Sequence, residues 1–365
     1  MDTGTIKSKL KNGILLKTKV YQGAKLRYGS LTKQIEQRIE QELTAIIESG
    51  QEEYFLTIAN MICLLSNKGV AIGPGRGSAA SSVVSYCLGL TEVDPIKFNL
   101  KFERFFNIAV STESPDISFD IDIPSEEAHA IINDMIGTSE NIPLMPKFAQ
   151  LSVLRQIKQA EEWIKNSELP YFRITDIPLD DEKSLNVFRE GRTQGVFLFE
   201  SEGMNHILLD FSPENFSDLI LLNAMFYPGA MDKLPEIIAR KKGKIWDKSA
   251  IPEVNEILEE SYGMIVYQEQ IMDIVNVVAE IPMTDADILR KLICRKEDTS
   301  AYKERFLKGG KTNGHQEMEL LKLWDHLTNV GFMPFLKAHS VCSTLTAYRQ
   351  AYIKATFPGF FKKTN

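Results

Sequence analysis

The stretch from Gly73 to Ile123 constrains this chain more than any other. It opens with Gly73-Pro74-Gly75-Arg76-Gly77-Ser78 and closes with Pro115-Asp116-Ile117-Ser118-Phe119-Asp120-Ile121-Asp122-Ile123. Ahead of the glycines, Gly69-Val70-Ala71-Ile72 is short, apolar and partly β-branched; behind them, Ser78 to Tyr86 is rich in small residues and compatible with a helix. The expectation is a strand, a tight glycine turn and a helix start. Such a helix start presents free backbone N–H groups and a positive dipole end, and glycines let a phosphate approach the main chain closely. The loop therefore reads as a phosphate cradle. In the second half, Phe119 and Ile121 alternate with Asp120 and Asp122, so a strand there sends both carboxylates to one side and the apolar pair to the core. Two like charges so close repel unless a cation sits between them. Mg2+ suits that arrangement, because it favours a few carboxylates completed by phosphate oxygens.

Each half has a plainer reading. A glycine-rich turn is often only a turn, and an Asp-x-Asp strand is often a solvated face. No Lys follows Gly77, which excludes a P-loop, and Gly-x-Gly-x-Gly is not the dinucleotide fingerprint. The two halves together are more informative than either.

A chain of 365 residues has room for two or three domains with real cores. Its formal net charge of −7 argues against indiscriminate nucleic-acid binding, so any DNA-facing surface must be a local basic patch. Two clusters qualify: Arg240, Lys241, Lys242, Lys244 and Lys248 around Gly243, and Arg290, Lys291, Arg295 and Lys296, continuing to Lys311. A solvated helix face is the alternative for both. Cys63, Cys87, Cys294 and Cys342 lack Cys-x-x-Cys spacing and read as reduced thiols. With no run of some 18 apolar residues and no signal-peptide pattern, the expectation is a cytoplasmic protein without a membrane partner.

The first thirty residues hold seven basic side chains against Asp2 alone and read as a frayed, solvated terminus. Leu31, Ile35, Ile39, Leu43 and Ile47 repeat every four residues and predict an amphipathic helix that Gly50 can end. Further helices are expected over Tyr54 to Ser66, around Ala128 to Ile136, and from Lys147 to near Lys165. In the later part, Pro252 to Glu260, Val266 to Ala279, Thr284 to Cys294, Gln316 to Asn329 and His339 to Thr356 carry apolar spacings of three and four.

Several blocks, in order, resemble bacterial C-family DNA polymerases, the family of the DNA polymerase III alpha subunit. They are the glycine loop, Asp94-Pro95, Phe102-Glu103-Arg104-Phe105 and Phe119-Asp120-Ile121-Asp122 for the palm. Gly195 to Met204, Phe226-Tyr227-Pro228-Gly229, Tyr262 to Gln270 and Lys337-Ala338-His339-Ser340 match the fingers. The resemblance covers about nine-tenths of the chain and implies an α/β (α+β) protein. Residues 1–170 would form a polymerase-beta-like nucleotidyltransferase palm, with residues 171–365 as mainly helical fingers. It implies a template-directed DNA polymerase core that adds deoxynucleotides to a primer 3′-hydroxyl, with two Mg2+ held by Asp120 and Asp122. Arg76, Gly77 and Ser78 would cradle the triphosphate, Arg290, Lys291, Arg295 and Lys296 would close over it, and His339 would lie beside the nucleotide. Arg240, Lys241, Lys242 and Lys244 would contact primer–template DNA. Other replication proteins are expected partners.

Three departures qualify that picture. The family carries a third carboxylate in a Lys-Phe-Asp block, and the matching position in Lys147-Phe148-Ala149 is alanine. Asp116 or Glu126 are the candidate substitutes. Only 24 residues separate Asp122 from Lys147, where the family has a long segment that includes the thumb. The chain also starts at the palm and ends just after the fingers, so clamp-binding modules are expected to be missing. The alternative function is therefore a catalytically impaired polymerase-like subunit that binds nucleotide or primer–template and acts through a partner.

Overall fold

The computed structural model describes residues 3–111, 113–136, 145–167 and 169–364; side chains are described from residue 10 to residue 361 of these. The connector expected at 137–146 lies largely outside the described residues. The chain divides into two compact units, Met1–Ile177 with Val341–Asn365, and Pro178–Ser340.

The first unit opens with three helices, α1 (Thr3–Tyr28), α2 (Lys33–Glu48) and α3 (Glu52–Asn67). The basic amino-terminal stretch is thus a 26-residue helix and not a frayed end. Leu16, Val20 and Ala24 recur every four residues and are fully buried, which anchors it. At Gly23 an added Cβ would lie 1.8 Å from the carbonyl oxygen of Cys87, so α1 meets that backbone directly. Helix α2 begins where Thr32 caps the amide of Ile35 and buries Ile35, Ile39, Leu43 and Ile46.

Short helices α4 (Val83–Cys87) and α5 (Phe102–Phe105) lead to strand β1 (Ser118–Ile121), helix α6 (Ser125–Ile136), strand β2 (Lys147–Gln150) and helix α7 (Val153–Ser167). The two strands pair in parallel, with Ser118 opposite Lys147, Phe119 opposite Phe148, Asp120 opposite Ala149 and Ile121 opposite Gln150. Lys147–Gln150 therefore belongs to the sheet and not to the following helix. Phe148 packs its ring against Phe119 and His129, which fixes it as strand. The strand expected before the glycines is reduced to bridges, Ile72 with Ile121 and Arg76 with Ser118, both antiparallel. The described protein is mostly helical with a small two-stranded sheet, a mixed α/β composition.

The second unit holds helices α8 (Glu182–Arg189), α9 (Glu202–Phe211), α10 (Phe216–Met225), α11 (Leu234–Lys241), α12 (Pro252–Leu258), α13 (Gln268–Ala279), α14 (Met283–Arg295), α15 (Ser300–Thr312) and α16 (Glu317–Thr328). The apolar periodicities in this region place α12, α13, α14 and α16 to within a few residues, while α15 is not among the expected helices. Helix α13 is the core element, with ten of its twelve residues buried. Asp181, Ser201 and Asn215 each cap the helix that follows them.

Helix α17 (Lys337–Thr356) and helix α18 (Pro358–Thr364) end the described chain. Residues 341–365, placed with the helical half by sequence, pack within the first unit. There Arg349 pairs with Glu92, Tyr352 stacks on Phe172, and Phe360 meets Trp163.

Candidate functional site

Asp120 lies on β1, and its Oδ1 accepts a 2.7 Å bond from Nη1 of Arg76 in the glycine loop. Asp122 lies just past the strand, with a side chain only 8% exposed. Its Oδ1 accepts the Ala71 amide at 2.9 Å, its Oδ2 accepts Nε of Arg155 at 3.2 Å, and its backbone carbonyl accepts Nη2 of the same arginine at 3.1 Å. The register puts Ala149 directly opposite Asp120, and in-register residues of paired strands, about 4.8 Å apart, point to the same face. The strand beside Asp120 thus offers a methyl group, and no carboxylate, at the in-register position. Of the candidate substitutes, Asp116 binds Lys147 at 2.7 Å, and Glu126 is exposed in the first turn of α6.

These residues do not fit a pair of Mg2+ ions. Mg2+ needs free oxygen ligands at near-octahedral positions. Here two carboxylates are available, each holds an arginine, and one is also bonded to a backbone amide. Among the described residues no group of three or more His, Cys, Asp or Glu side chains is arranged to hold a metal.

The glycines divide by role. Gly73 donates its amide to the Asp120 carbonyl at 2.8 Å, and a Cβ there would sit 3.1 Å from that of Asp120. Gly75, with φ +146°, faces Cys342 Sγ and Thr91, so its missing side chain serves packing. Gly77, with φ +65°, has open space where a Cβ would stand, and it leaves room for an approaching phosphate.

The helix start behind the loop differs from expectation. Ala79–Ser81 is a single 3-10 turn, and α4 begins only at Val83. Its free amides are already taken: Glu42, fully buried on α2, accepts the Val83 and Val84 amides at 3.0 Å and the Ser82 hydroxyl at 2.7 Å, while Arg38 holds the same carboxylate at 2.6 Å. A protein carboxylate fills the anion position predicted for phosphate. The start of α17 is treated alike, because the buried Glu269 accepts the Lys337 and Ala338 amides. His339, in the first turn of that helix, rests its ring against Phe335.

The basic clusters also divide. Arg290 is buried and bonds Asp287 and Gln268, and Lys291 binds Asp287 at 2.8 Å. Burial alone would raise the Asp287 pKa, but the charges of Arg290 and Lys291 outweigh it and hold the carboxyl below its ordinary range. That stabilisation is present above the unfolded carboxylate range near pH 4 and is lost as pH falls through the lower folded value. Arg295 and Lys296, at the end of α14, are exposed. In the other cluster, Lys241 is only 8% exposed, bonded to Asp218 and Glu214 and seated over the Phe211 ring. Burial would lower its pKa, yet the hydrogen bond and charge of Asp218 raise it. Arg240 bonds Glu236 and the Tyr262 carbonyl. Lys242, Lys244 and Lys248 are exposed, with Lys244 paired to Glu236. Lys241→Met is expected to destabilise the second unit by about 2–3 kcal/mol, since it leaves the buried Asp218 carboxylate without its cation. Denaturant unfolding measures this, and a loss under 1 kcal/mol would return Lys241 to the surface set.

Two family models match in chain order. One, described as the bacterial DNA polymerase III alpha NTPase domain, matches residues 14–143; the other, the bacterial DNA polymerase III alpha subunit finger domain, matches residues 153–314. The chain belongs to the bacterial DNA polymerase III alpha family. Among curated members, the DNA polymerase III subunit alpha of Borreliella burgdorferi is 29% identical, over 94% of this chain and 41% of that protein. The subunit of Staphylococcus aureus strain COL is 27% identical, over 89% of this chain and 42% of its own length. The chain thus spans about two-fifths of the curated relatives it matches. Its alignment with the Borreliella polymerase III alpha runs over 467 positions but uses 94% of 365 residues, so about 124 positions face a gap in this chain. No helix among the described residues is long and apolar enough to cross a membrane.

Sequence reasoning missed Arg155 and Glu42. For Glu42 a signal existed, because it falls on the buried stripe of α2, seven residues after Ile35 and four before Ile46. Arg155 carries no such mark; only the fold brings it to Asp122.

Proposed function

We propose that this chain is a palm-and-fingers core of the DNA polymerase III alpha type that binds primer–template DNA and deoxynucleoside triphosphate, with nucleotidyl transfer impaired. The observation that carries this reading is Ala149 in register with Asp120. A core of this kind serves by binding, so its role runs through a catalytic partner among the replication proteins. Nucleotide phosphates would approach at Arg76, Gly77 and Ser78, where Gly77 leaves open space. Arg295 and Lys296 supply exposed charge on the fingers, while Arg290 and Lys291 shape the helix that presents them.

DNA contact falls to the exposed loop lysines. Labelled primer–template should bind with an affinity that drops steeply with salt, because each phosphate contact releases counterions. Changing Lys242, Lys244 and Lys248 together to alanine should reduce the log–log salt slope by roughly 2–3 without altering sequence preference. An unaltered slope would put the DNA path elsewhere. Lys241 is left out of that variant because its loss acts on the fold.

The second reading is an active polymerase that extends the primer by two-metal chemistry on Asp120 and Asp122, favoured by the retention of both residues at the end of β1. A single-turnover primer-extension assay separates the two. Rapid extension by the unmodified protein would establish the second and overturn the first.

A further inference from the structure

We propose that Arg76 and Arg155 are the resident cations of this palm: they neutralise Asp120 and Asp122 permanently, so that the palm is built to be complete without divalent metal. The inference deepens the palm reading above and concerns how the same two carboxylates are held.

The charges close locally, with two carboxylates against two guanidinium groups. Arg76 reaches Asp120 at 2.7 Å from the glycine loop, and Arg155 reaches Asp122 from α7. Arg155 grips twice, through the carboxylate and through the backbone carbonyl of the same residue. A planar guanidinium with fixed donors suits this double hold better than a lysine. The remaining Asp122 oxygen is committed to the Ala71 amide. A metal at Asp122 would have to break either that amide bond or the arginine clamp, in a place where an orphaned donor is costly. At Asp120 the neighbouring strand offers a methyl group at Ala149, so an incoming ion finds one carboxylate already paired.

The two designs make opposite predictions for stability. A site built for metal holds repelling carboxylates, so removing one in chelator should leave the fold unharmed or firmer. A site compensated by arginine loses bonds when either partner is removed. In EDTA, Asp122→Asn should lower the melting temperature by about 3–8 °C and Arg155→Gln, more exposed, by about 1–4 °C, and Mg2+ should restore neither. Arg155 is 55% exposed, so Arg155→Gln keeps the test open if Asp122→Asn fails to fold.

The second measurement titrates Mn2+ into the full chain and follows the free ion by electron paramagnetic resonance. The expected curves for the native protein and Asp120→Asn coincide. A stoichiometric class of bound Mn2+ that disappears in Asp120→Asn, or a melting temperature that rises in Arg155→Gln, would overturn the proposal. A chain that binds no DNA yet shows the expected melting shifts counts against the polymerase-core reading and supports this one.

Discussion

Glu42→Ala is expected to cost the first unit about 3–5 kcal/mol, the largest stability loss predicted for any single side chain here. The carboxylate is fully buried and serves four donors: the Val83 and Val84 amides, the Ser82 hydroxyl and Arg38. Alanine removes the acceptor and leaves the donors. Two amides and a hydroxyl lose their partner in an apolar setting, and Arg38 becomes a partly buried cation with only the Ser81 and Leu100 carbonyls. Glu42→Gln keeps the shape and one acceptor oxygen, so its loss should be roughly half as great. Denaturant unfolding gives the magnitudes, and amide exchange at Val83 and Val84 gives the place. Exchange at those amides that stays as slow as in the native protein, with a loss below 1 kcal/mol, would show that the carboxylate is incidental to α4.

Ala149→Asp carries the largest expected effect on chemistry. The register places the new carboxylate beside Asp120 on the adjacent strand, and the local charge then shifts from balanced to negative. Cation binding should become favourable, and the Mn2+ titration should acquire a bound class that the native chain and Asp120→Asn are both expected to lack. Charge-stabilising groups of this kind are worth about 10²–10³ in rate, so single-turnover extension should rise by that factor over a slow or undetectable baseline. If neither Mn2+ binding nor extension responds, the strand register does not mark the family's third ligand position, and the impairment has another cause.

Much of the helical framework was legible because burial and periodicity coincide there. Ile35, Ile39 and Leu43 repeat at helical spacing and are buried, and the helices around Ile271 and Leu289 follow the same rule. The sheet was legible only in part. Ser118–Ile121 alternates cleanly, but Lys147-Phe148-Ala149-Gln150 is four residues long and runs close to a strong helix, which leaves periodicity too little to work on. In the candidate site, Asp120, Asp122 and the glycine loop could be read directly, whereas their partners could not. Charged residues read as surface by default, yet Lys241 is buried against Asp218 from another helix, Arg290 against Asp287 one turn away, and Glu42 against Arg38 and the amides at the start of α4. The Asp287–Arg290 and Arg38–Glu42 spacings are local, but no local pattern records that Asp218 meets Lys241 or that Glu42 meets the Val83 and Val84 amides.

The first unit is discontinuous in sequence, since Met1–Ile177 is completed by Val341–Asn365. During synthesis the intervening 163 residues emerge, and can fold, before the part of the first unit around β1 is joined by residues 341–365. Glu92 waits for Arg349 across more than 250 positions, and Phe172 waits for Tyr352 across 180. Closing such long loops is entropically slow. Until residues 341–365 emerge, the nascent first unit therefore carries an uncovered apolar flank, and over that interval the polypeptide is most exposed to chaperone capture and proteolysis.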